Sequence, residues 1–168
     1  MAHKGYISTN AGISAPPDGT LNLRADAVKD ITGSRDLLRS LLNNIPGIVY
    51  RGMPDWSLTF VGGEVERLTG YTSREILGES TLWRSLIHPD DIGPVSESIR
   101  NAVCRRERIV RVECRIVRKD GEVRWVSDRR QMIYDDGGML LCVDGLCMDI
   151  SEQKRAEEER RRLAAAVG

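Results

Sequence analysis

The sequence is short of aromatic residues and carries no excess charge of either sign. Of its 168 residues, 5% are aromatic, with Phe60 as the single phenylalanine, and 25 lysines and arginines balance 25 aspartates and glutamates. Few aromatic side chains argue against a surface on which nucleic-acid bases stack, and zero net charge gives no general attraction to nucleic acid. We therefore expect no nucleic-acid partner and a mainly aliphatic core.

Long apolar runs are also lacking. No window approaches the ~20 apolar residues that cross a bilayer, and the first 20 residues contain no signal-peptide core. From this absence the sequence predicts a cytoplasmic segment that makes no membrane contact.

Metal-binding and disulfide patterns are missing as well. The four cysteines lack paired C-x-x-C spacing, which favours reduced, packed thiols over a zinc site or a disulfide framework. His88 stands without the partner ligands that a metal ion requires. We predict no metal site. The cysteines are Cys104, Cys114, Cys142 and Cys147.

The sequence also has no recognisable active-site constellation. It offers no paired nucleophile and base, and its Gly62-Gly63 and Gly137-Gly138 pairs lack the pattern of a phosphate-binding loop. We therefore predict no catalytic residues, and this segment is not expected to be an enzyme.

Composition and hydrophobic spacing divide the chain into four parts. Residues 1–24 are rich in Gly, Ser, Thr, Asn and Pro and predict a flexible leader. Residues 25–45 place apolar side chains at helical spacing and predict an N-terminal flanking helix, with a break near Gly33. Residues 46–151 form the domain. Residues 152–168 are strong helix formers, and their thin apolar seam fits either the start of a coiled coil or a solvated helix.

The central part predicts an α+β fold. A hairpin around residues 54–55 is followed by two short helices, separated at Gly70 with Ser73 as a cap, and by a longer helix that begins at the His-Pro-Asp-Asp run. Alternating residues from Ile109 onward and the Asp120-Gly121 turn then indicate three antiparallel strands. The expected architecture is a five-stranded antiparallel sheet with short helices on one face, flanked by N-terminal and C-terminal helices.

Four motifs in this order resemble the Per-Arnt-Sim (PAS) family with its C-terminal PAC segment. The resemblance covers about residues 45–155. The motifs are LTGYTSREILG at 68–78, LIHPDD at 86–91, RKDGEVRWV at 118–126 and DISEQK at 149–154.

The resemblance implies a cavity between the helices and the sheet that holds haem, flavin, a small metabolite or nothing. The flavin photoreceptors of the family carry a reactive cysteine on the short-helix segment, and residues 64–68 contain none. Haem-binding members generally carry a histidine on the longest helix, and residues 91–105 contain none. The cofactor stays unknown, and neither flavin nor haem is expected.

Nine residues are the candidate walls of such a cavity. In the alternative there is no cavity, and the same side chains fill the core. Trp125 and Arg124 lie on opposite strand faces, and we expect Trp125 to pack inward. The candidates are Tyr50, Phe60, Leu68, Ile99, Val103, Cys114, Trp125, Cys142 and Leu146.

Asp149, Ile150 and Ser151 resemble the family's signal-relay motif, although a strand end capped by Ser151 explains the same residues. The resemblance implies a sensory input module that binds a small ligand, or forms a homodimer through its flanking helices. The module relays the effect of ligand binding or dimerisation through a helical linker to an output domain in the same polypeptide, such as a histidine kinase, diguanylate cyclase or phosphodiesterase. The alternative is a ligand-free interaction and dimerisation domain.

Overall fold

A computed structural model describes residues 19–167 of the chain, with side chains from residue 27 onward. The first helix, α1 (Gly19–Asn44), runs through Gly33 without a break and begins earlier than the predicted start at residue 25. Leucine and arginine in residues 19–24 favour helix, which explains the earlier start. The remainder of the predicted leader lies outside the described residues.

The chain divides into two units at a point within α1: the first unit ends at Leu38, and the second begins at Arg39. In the first unit, α1 presents apolar side chains to solvent: Val28, Ile31 and Leu38 are each more than half exposed. The second unit holds the sheet, the remaining helices and the core.

Five strands form one sheet in the order β2-β1-β5-β4-β3, with every neighbouring pair antiparallel. This confirms the predicted five-stranded antiparallel sheet. The first two strands are a hairpin, and the last three are a meander whose final strand returns beside β1. The strands are β1 (Ile48–Gly52), β2 (Leu58–Gly63), β3 (Ile109–Val117), β4 (Val123–Tyr134) and β5 (Leu140–Asp149).

The turn between β3 and β4 forms as the Asp-Gly pair predicts. Gly121 has a φ of +86°, which a residue without a side chain adopts at little cost. Asp120 Oδ1 accepts a hydrogen bond from the backbone N–H of Glu122, 3.0 Å away. The meander is thereby fixed in register at its first reversal.

Four helices follow the first hairpin, and a sixth helix follows the sheet. The short helices and α5 cover the inner face of the sheet, and the core lies between them. Its aliphatic members include Ile48, Leu68, Ile76 and Val126, each at most 2% exposed. The helices are α2 (Val65–Thr69), α3 (Ser73–Gly78), α4 (Leu82–Ser85), α5 (Pro89–Cys104) and α6 (Ser151–Val167).

The helix ends agree with the sequence at Gly70 and differ at Ser73. Gly70 ends α2 in the left-handed conformation, with a φ of +79°. The cap of α3 is Thr72 rather than Ser73, because Glu75 at the third helical position completes a capping box with it. Thr72 Oγ1 accepts from the Glu75 N–H at 3.2 Å, and Glu75 Oε2 accepts from the Thr72 N–H at 2.8 Å.

The His-Pro-Asp-Asp run starts α5, as predicted, but the cap is the histidine. His88 Nδ1 accepts a hydrogen bond from the Asp90 N–H at 3.2 Å, and Pro89 occupies the first helical position, where no N–H partner is needed. His88 therefore has a structural role in the described chain.

We predict that Thr72→Ala lowers the free energy of unfolding by about 1 kcal/mol, because it removes the side-chain acceptor of the capping box. Urea denaturation measures the loss. Thr81→Ala is the matched control, since the Thr81 side chain accepts no hydrogen bond from the backbone of α4 and only donates to the exposed Glu79 carboxylate, 3.1 Å away. Equal losses in the two variants would contradict the assigned cap.

Candidate functional site

Three polar side chains meet inside the apolar core, and we call Tyr50, Asp128 and Arg130 the buried trio. Asp128 Oδ2 accepts two hydrogen bonds, from the Tyr50 hydroxyl at 2.8 Å and from Arg130 Nε at 2.7 Å. The three residues are 3%, 4% and 8% exposed. A charge pair at this depth needs such partners, because burial removes the water that would otherwise solvate it.

The register of the sheet brings the trio together. Asp128 and Arg130 alternate with outward residues on β4, and Tyr50 lies on β1, with β5 between the two strands. Gly145 of β5 pairs with both Tyr50 and Arg130, and a side chain at Gly145 would collide with the Tyr50 ring. The glycine therefore lets Tyr50 reach across β5 to Asp128.

Burial acts on the pKa values of Tyr50 and Arg130. It raises the pKa of Tyr50 well above its usual range, and the neighbouring Asp128 raises it further, so that the phenol stays a neutral donor. Burial alone disfavours a charged Arg130, but the opposite charge of Asp128 and the hydrogen bond to it raise the pKa of Arg130 above the usual value. Arg130 and Asp128 thus form a buried ion pair, with 2.7 Å between Nε and Oδ2.

Two small cavities adjoin the trio. The first, of about 30 Å³, is lined by Asp128 and Arg130 together with Trp83, Cys114 and Cys147, and we call it the Asp128 cavity. The second, of about 40 Å³, shares Trp83 and Arg130 with the first and lies beside the β1–β2 turn. A protein cavity that admits one water needs roughly 10–15 Å³, so each has room for about two waters or for a molecule of a few non-hydrogen atoms.

Trp56 covers Arg130 from the β1–β2 turn. Its ring centroid lies 5.3 Å from the guanidinium carbon of Arg130 and 5.5 Å from that of Arg84, which are cation–π distances. Trp56 has a φ of +72°, a conformation that a bulky residue adopts only at a cost in free energy. The backbone strain places an indole over the buried cation.

The structure separates the nine candidate cavity residues into two groups. Five lie on the core side: Tyr50, Leu68, Ile99, Val103 and Cys114. The side chains of the other four lie on the outer face of the sheet, so the prediction that they face the helices is wrong. These four are Phe60, Trp125, Cys142 and Leu146.

The sequence did not reveal Asp128 and Arg130 because hydrophobicity does not fix the phase of β4. Its two alternating sets each contain apolar and polar residues, so Trp125 was predicted to point inward. The register pairs Trp125 with Arg115 of β3. Arg115 lies between Cys114 and Ile116, whose side chains are buried on the inner face, so Arg115 and Trp125 both lie on the outer face. The signal in the sequence was that Asp128 and Arg130 lie two and four residues after Val126 and therefore share its face of the strand.

The predicted relay residues tie the start of α6 to β4. The Ile150 N–H donates to the Trp125 carbonyl at 2.9 Å, and Ser151 Oγ accepts from the Trp125 N–H at 2.9 Å. Asp149 Oδ1 accepts from the Ser151 N–H at 2.8 Å. All three residues of the motif therefore hold the junction.

The charge on Asp149 is stabilised at this junction. Partial burial opposes ionisation, but the hydrogen bonds from Ser151 and the nearby Arg124 outweigh it and lower the pKa of Asp149. The carboxylate is therefore present at neutral pH as an acceptor for the first turn of α6.

The outer face adds a second connection to α6. The Trp125 ring lies 5.1 Å from Lys154 Nζ of α6 and 5.7 Å from the Arg115 guanidinium. Lys154 also pairs with Glu113 at 2.6 Å, and Arg115 donates to Asp91 at the start of α5. Contacts thus run from α5 through β3 and β4 to α6.

Other chemistry is sparse in the described residues. Burial raises the pKa of Cys114 to about 11 and that of Cys147 well above its usual value, so neither thiol is ionised near neutral pH. In residues 19–167 no cluster of three or more potential ligands is placed to hold a metal ion. Nor does any helix in that range combine the length and apolar character needed to cross a bilayer.

Together these features define an α+β domain with a small polar site on the inner face of its sheet and an exit helix anchored to β4. The family model described as PAS fold matches residues 58–147, which is more than half of the chain, and the chain belongs to this family. It is a PAS domain of the kind found in signalling proteins.

Similar proteins come from sensors and signalling enzymes. The methyl sulfide methyltransferase-associated sensor of Methanosarcina acetivorans is 30% identical over 123 residues, a match that covers 72% of this chain and 12% of that protein. The chain therefore spans a small part of this relative.

Two solved structures share the fold. The sensory box histidine kinase/response regulator of Burkholderia thailandensis has a TM-score of 0.60 and 24% identity, over 72% of this chain and 88% of that one. The N-terminal domain of a diguanylate cyclase with a PAS/PAC sensor from Marinobacter aquaeolei has a TM-score of 0.55 and 22% identity, over 64% and 98%.

We predict that Gly145→Ala displaces Tyr50 from Asp128 and lowers the free energy of unfolding by about 1–3 kcal/mol, because the added methyl group overpacks the core. Urea denaturation measures the loss, and the NMR signals of the Tyr50 ring report the displacement. Gly78→Ala is the matched control, since nothing lies near that glycine and its φ is not positive. A wild-type stability for Gly145→Ala would contradict the close packing of Tyr50 on Gly145.

Proposed function

We propose that this PAS domain is an input module in which occupancy of the cavity beside the buried trio changes the packing of β4, and β4 passes the change to α6. The supporting observation is that one strand carries both ends of the route. Asp128 and Arg130 lie on its inner face, and Trp125, three residues before Asp128, holds the first residues of α6.

A shift along β4 reaches α6 because the connection is rigid. Ile150 and Ser151 each form a hydrogen bond to the backbone of Trp125, while Lys154 stacks on its ring. A ligand that binds one arrangement of β4 more tightly than another moves the population toward the first. Asp149, Ile150 and Ser151 are the relay residues in this proposal.

The size of the cavities favours a small ligand over flavin or haem. Volumes of about 30 and 40 Å³ are far below the roughly 300–1,000 Å³ of pockets that hold drug-sized molecules. Cavities this small also favour a second candidate function, in which the domain binds no ligand and contact with a protein partner shifts β4.

We further propose a homodimer formed through the flanking helices. Val28, Ile31, Leu38 and Leu41 of α1 are more than half exposed, and their spacing follows one side of the helix. On α6, Leu163 is also exposed. The proposal places the domain in the cytoplasm, upstream of an output domain such as a histidine kinase, diguanylate cyclase or phosphodiesterase.

The relay is tested by a double-mutant cycle in a fusion of the chain to a reporter histidine kinase. We expect Gly145→Ala, which disturbs the trio, to change kinase activity about threefold or more, and Asp149→Ala to abolish that response. Asp149→Ala removes the acceptor at the start of α6 and should leave the domain folded by circular dichroism.

The matched control for the cycle is Asp144→Ala, because Asp144 lies on the same strand and pairs with Arg51 on the outer face, away from the junction. Its background should retain the full response to Gly145→Ala. A full response in the Asp149→Ala background would reject the relay.

We predict that Leu38→Glu shifts the chain toward the monomer in sedimentation velocity, because it places a carboxylate in the apolar stripe of α1. Ser40→Glu adds the same charge at another exposed position of α1 and should leave the association unchanged. Removal of residues 152–168 weakens association if α6 contributes. An unchanged mass in both Leu38→Glu and the truncated chain would argue against the helical dimer.

A further inference from the structure

One acceptor in the buried trio has no hydrogen-bond donor among residues 19–167. Asp128 Oδ2 serves both Tyr50 and Arg130, while Oδ1 is buried and accepts no hydrogen bond within the described part of the chain. The side chain of Asp128 is only 6% exposed. A buried carboxylate oxygen without a donor is costly, and each such atom in a native fold calls for an explanation.

A cavity lies beside this carboxylate. Asp128 is part of its lining, and most of the remaining wall is apolar, including Ile48, Ile116 and Val126. The thiols of Cys114 and Cys147 also face it, and burial keeps both protonated near neutral pH. The site therefore combines one strong, unused acceptor with an apolar surround.

The charges of the trio limit what can enter. Arg130 already balances Asp128, so an anion or a cation would bring an uncompensated charge into a region from which water is largely excluded. An uncharged molecule avoids that cost. It gains a charge-assisted hydrogen bond if it carries an O–H or N–H group.

From these observations we infer that the Asp128 cavity binds a small, uncharged molecule that donates an O–H or N–H hydrogen bond to Asp128 Oδ1 and packs its apolar part against Ile48 and Val126. The inference rests on the proposed function, since it names the class of ligand whose occupancy β4 would report.

Three molecules of the same shape test the inference. Acetamide is uncharged and donates N–H bonds, acetone is uncharged without a donor, and acetate is an anion. Each is titrated into the 168-residue chain at pH 7 and followed by ¹H–¹⁵N NMR, including the side-chain Nε–Hε signal of Arg130.

Acetamide should give saturable shifts centred on Asp128, Arg130 and Cys147. Acetone should bind about tenfold more weakly or worse, the change that corresponds to one lost hydrogen bond of this kind. Acetate should not saturate. Equal binding of acetamide and acetone, tightest binding of acetate, or no saturable binding of any of the three would each overturn the inference.

A cavity-filling variant locates the site without replacing any residue of the trio. Cys147→Met extends a side chain into the Asp128 cavity and should abolish the acetamide shifts, whereas Met132→Leu, a buried change outside both cavities, should preserve them. Asp128→Asn also weakens binding, but it leaves Arg130 without its carboxylate and is therefore the less clean variant. Retained acetamide binding in a folded Cys147→Met variant would place the site elsewhere.

The outcome is separable from that of the relay. If acetamide binds as expected while the kinase cycle shows no coupling through Asp149, the ligand class stands and the signalling role fails. If the cycle shows coupling and acetamide does not bind, the relay stands and the inferred ligand class is wrong.

Discussion

A single carboxylate oxygen, Asp128 Oδ2, organises the inner face of the sheet. It accepts hydrogen bonds from Tyr50 on β1 and Arg130 on β4, so it joins two strands that are not neighbours across the strand between them. The bridge depends on Gly145, which leaves room for the tyrosine ring. It also keeps a guanidinium in the core, where Trp56 covers it at the cost of a left-handed backbone. The cavities, the strained turn and the buried charge therefore all adjoin the ion pair that this acceptor makes.

Much of the fold could be read from local sequence signals because each had a local physical cause. The Asp120-Gly121 turn, the alternation of β3 and the glycine that ends α2 each determine backbone geometry within a few residues. The motifs then placed these elements in the PAS family by resemblance, while the strand order β2-β1-β5-β4-β3 is known only from the structure. The cap of α3 was placed one residue late because the capping box depends on Glu75, three residues after the true cap.

The site was harder to predict, because its residues are defined by strand phase and long-range register. In β5 seven of the ten residues are apolar, so alternation is weak. Asp144, which shares its face with Cys142 and Leu146, was the signal that Leu146 points outward while Cys147 points inward. In β4 the large apolar ring of Trp125, compared with the charged Arg124, predicts that Trp125 is the residue that points inward. In the structure the Trp125 ring lies on the outer face beside two cations, Arg115 and Lys154. Asp128 and Arg130 are separated in sequence from Tyr50 by most of the domain, and only the folded sheet brings them together.

The attachment of α6 at its first turn gives the helix the geometry of a lever. Its 17 residues extend about 25 Å beyond the junction at 1.5 Å per residue. A tilt of about 5° at Ser151 therefore displaces the far end by roughly 2 Å, several times the movement at the anchor. In the proposed relay, a change in the core too small to alter the shape of the domain would therefore be enlarged along α6, in proportion to the length of that helix.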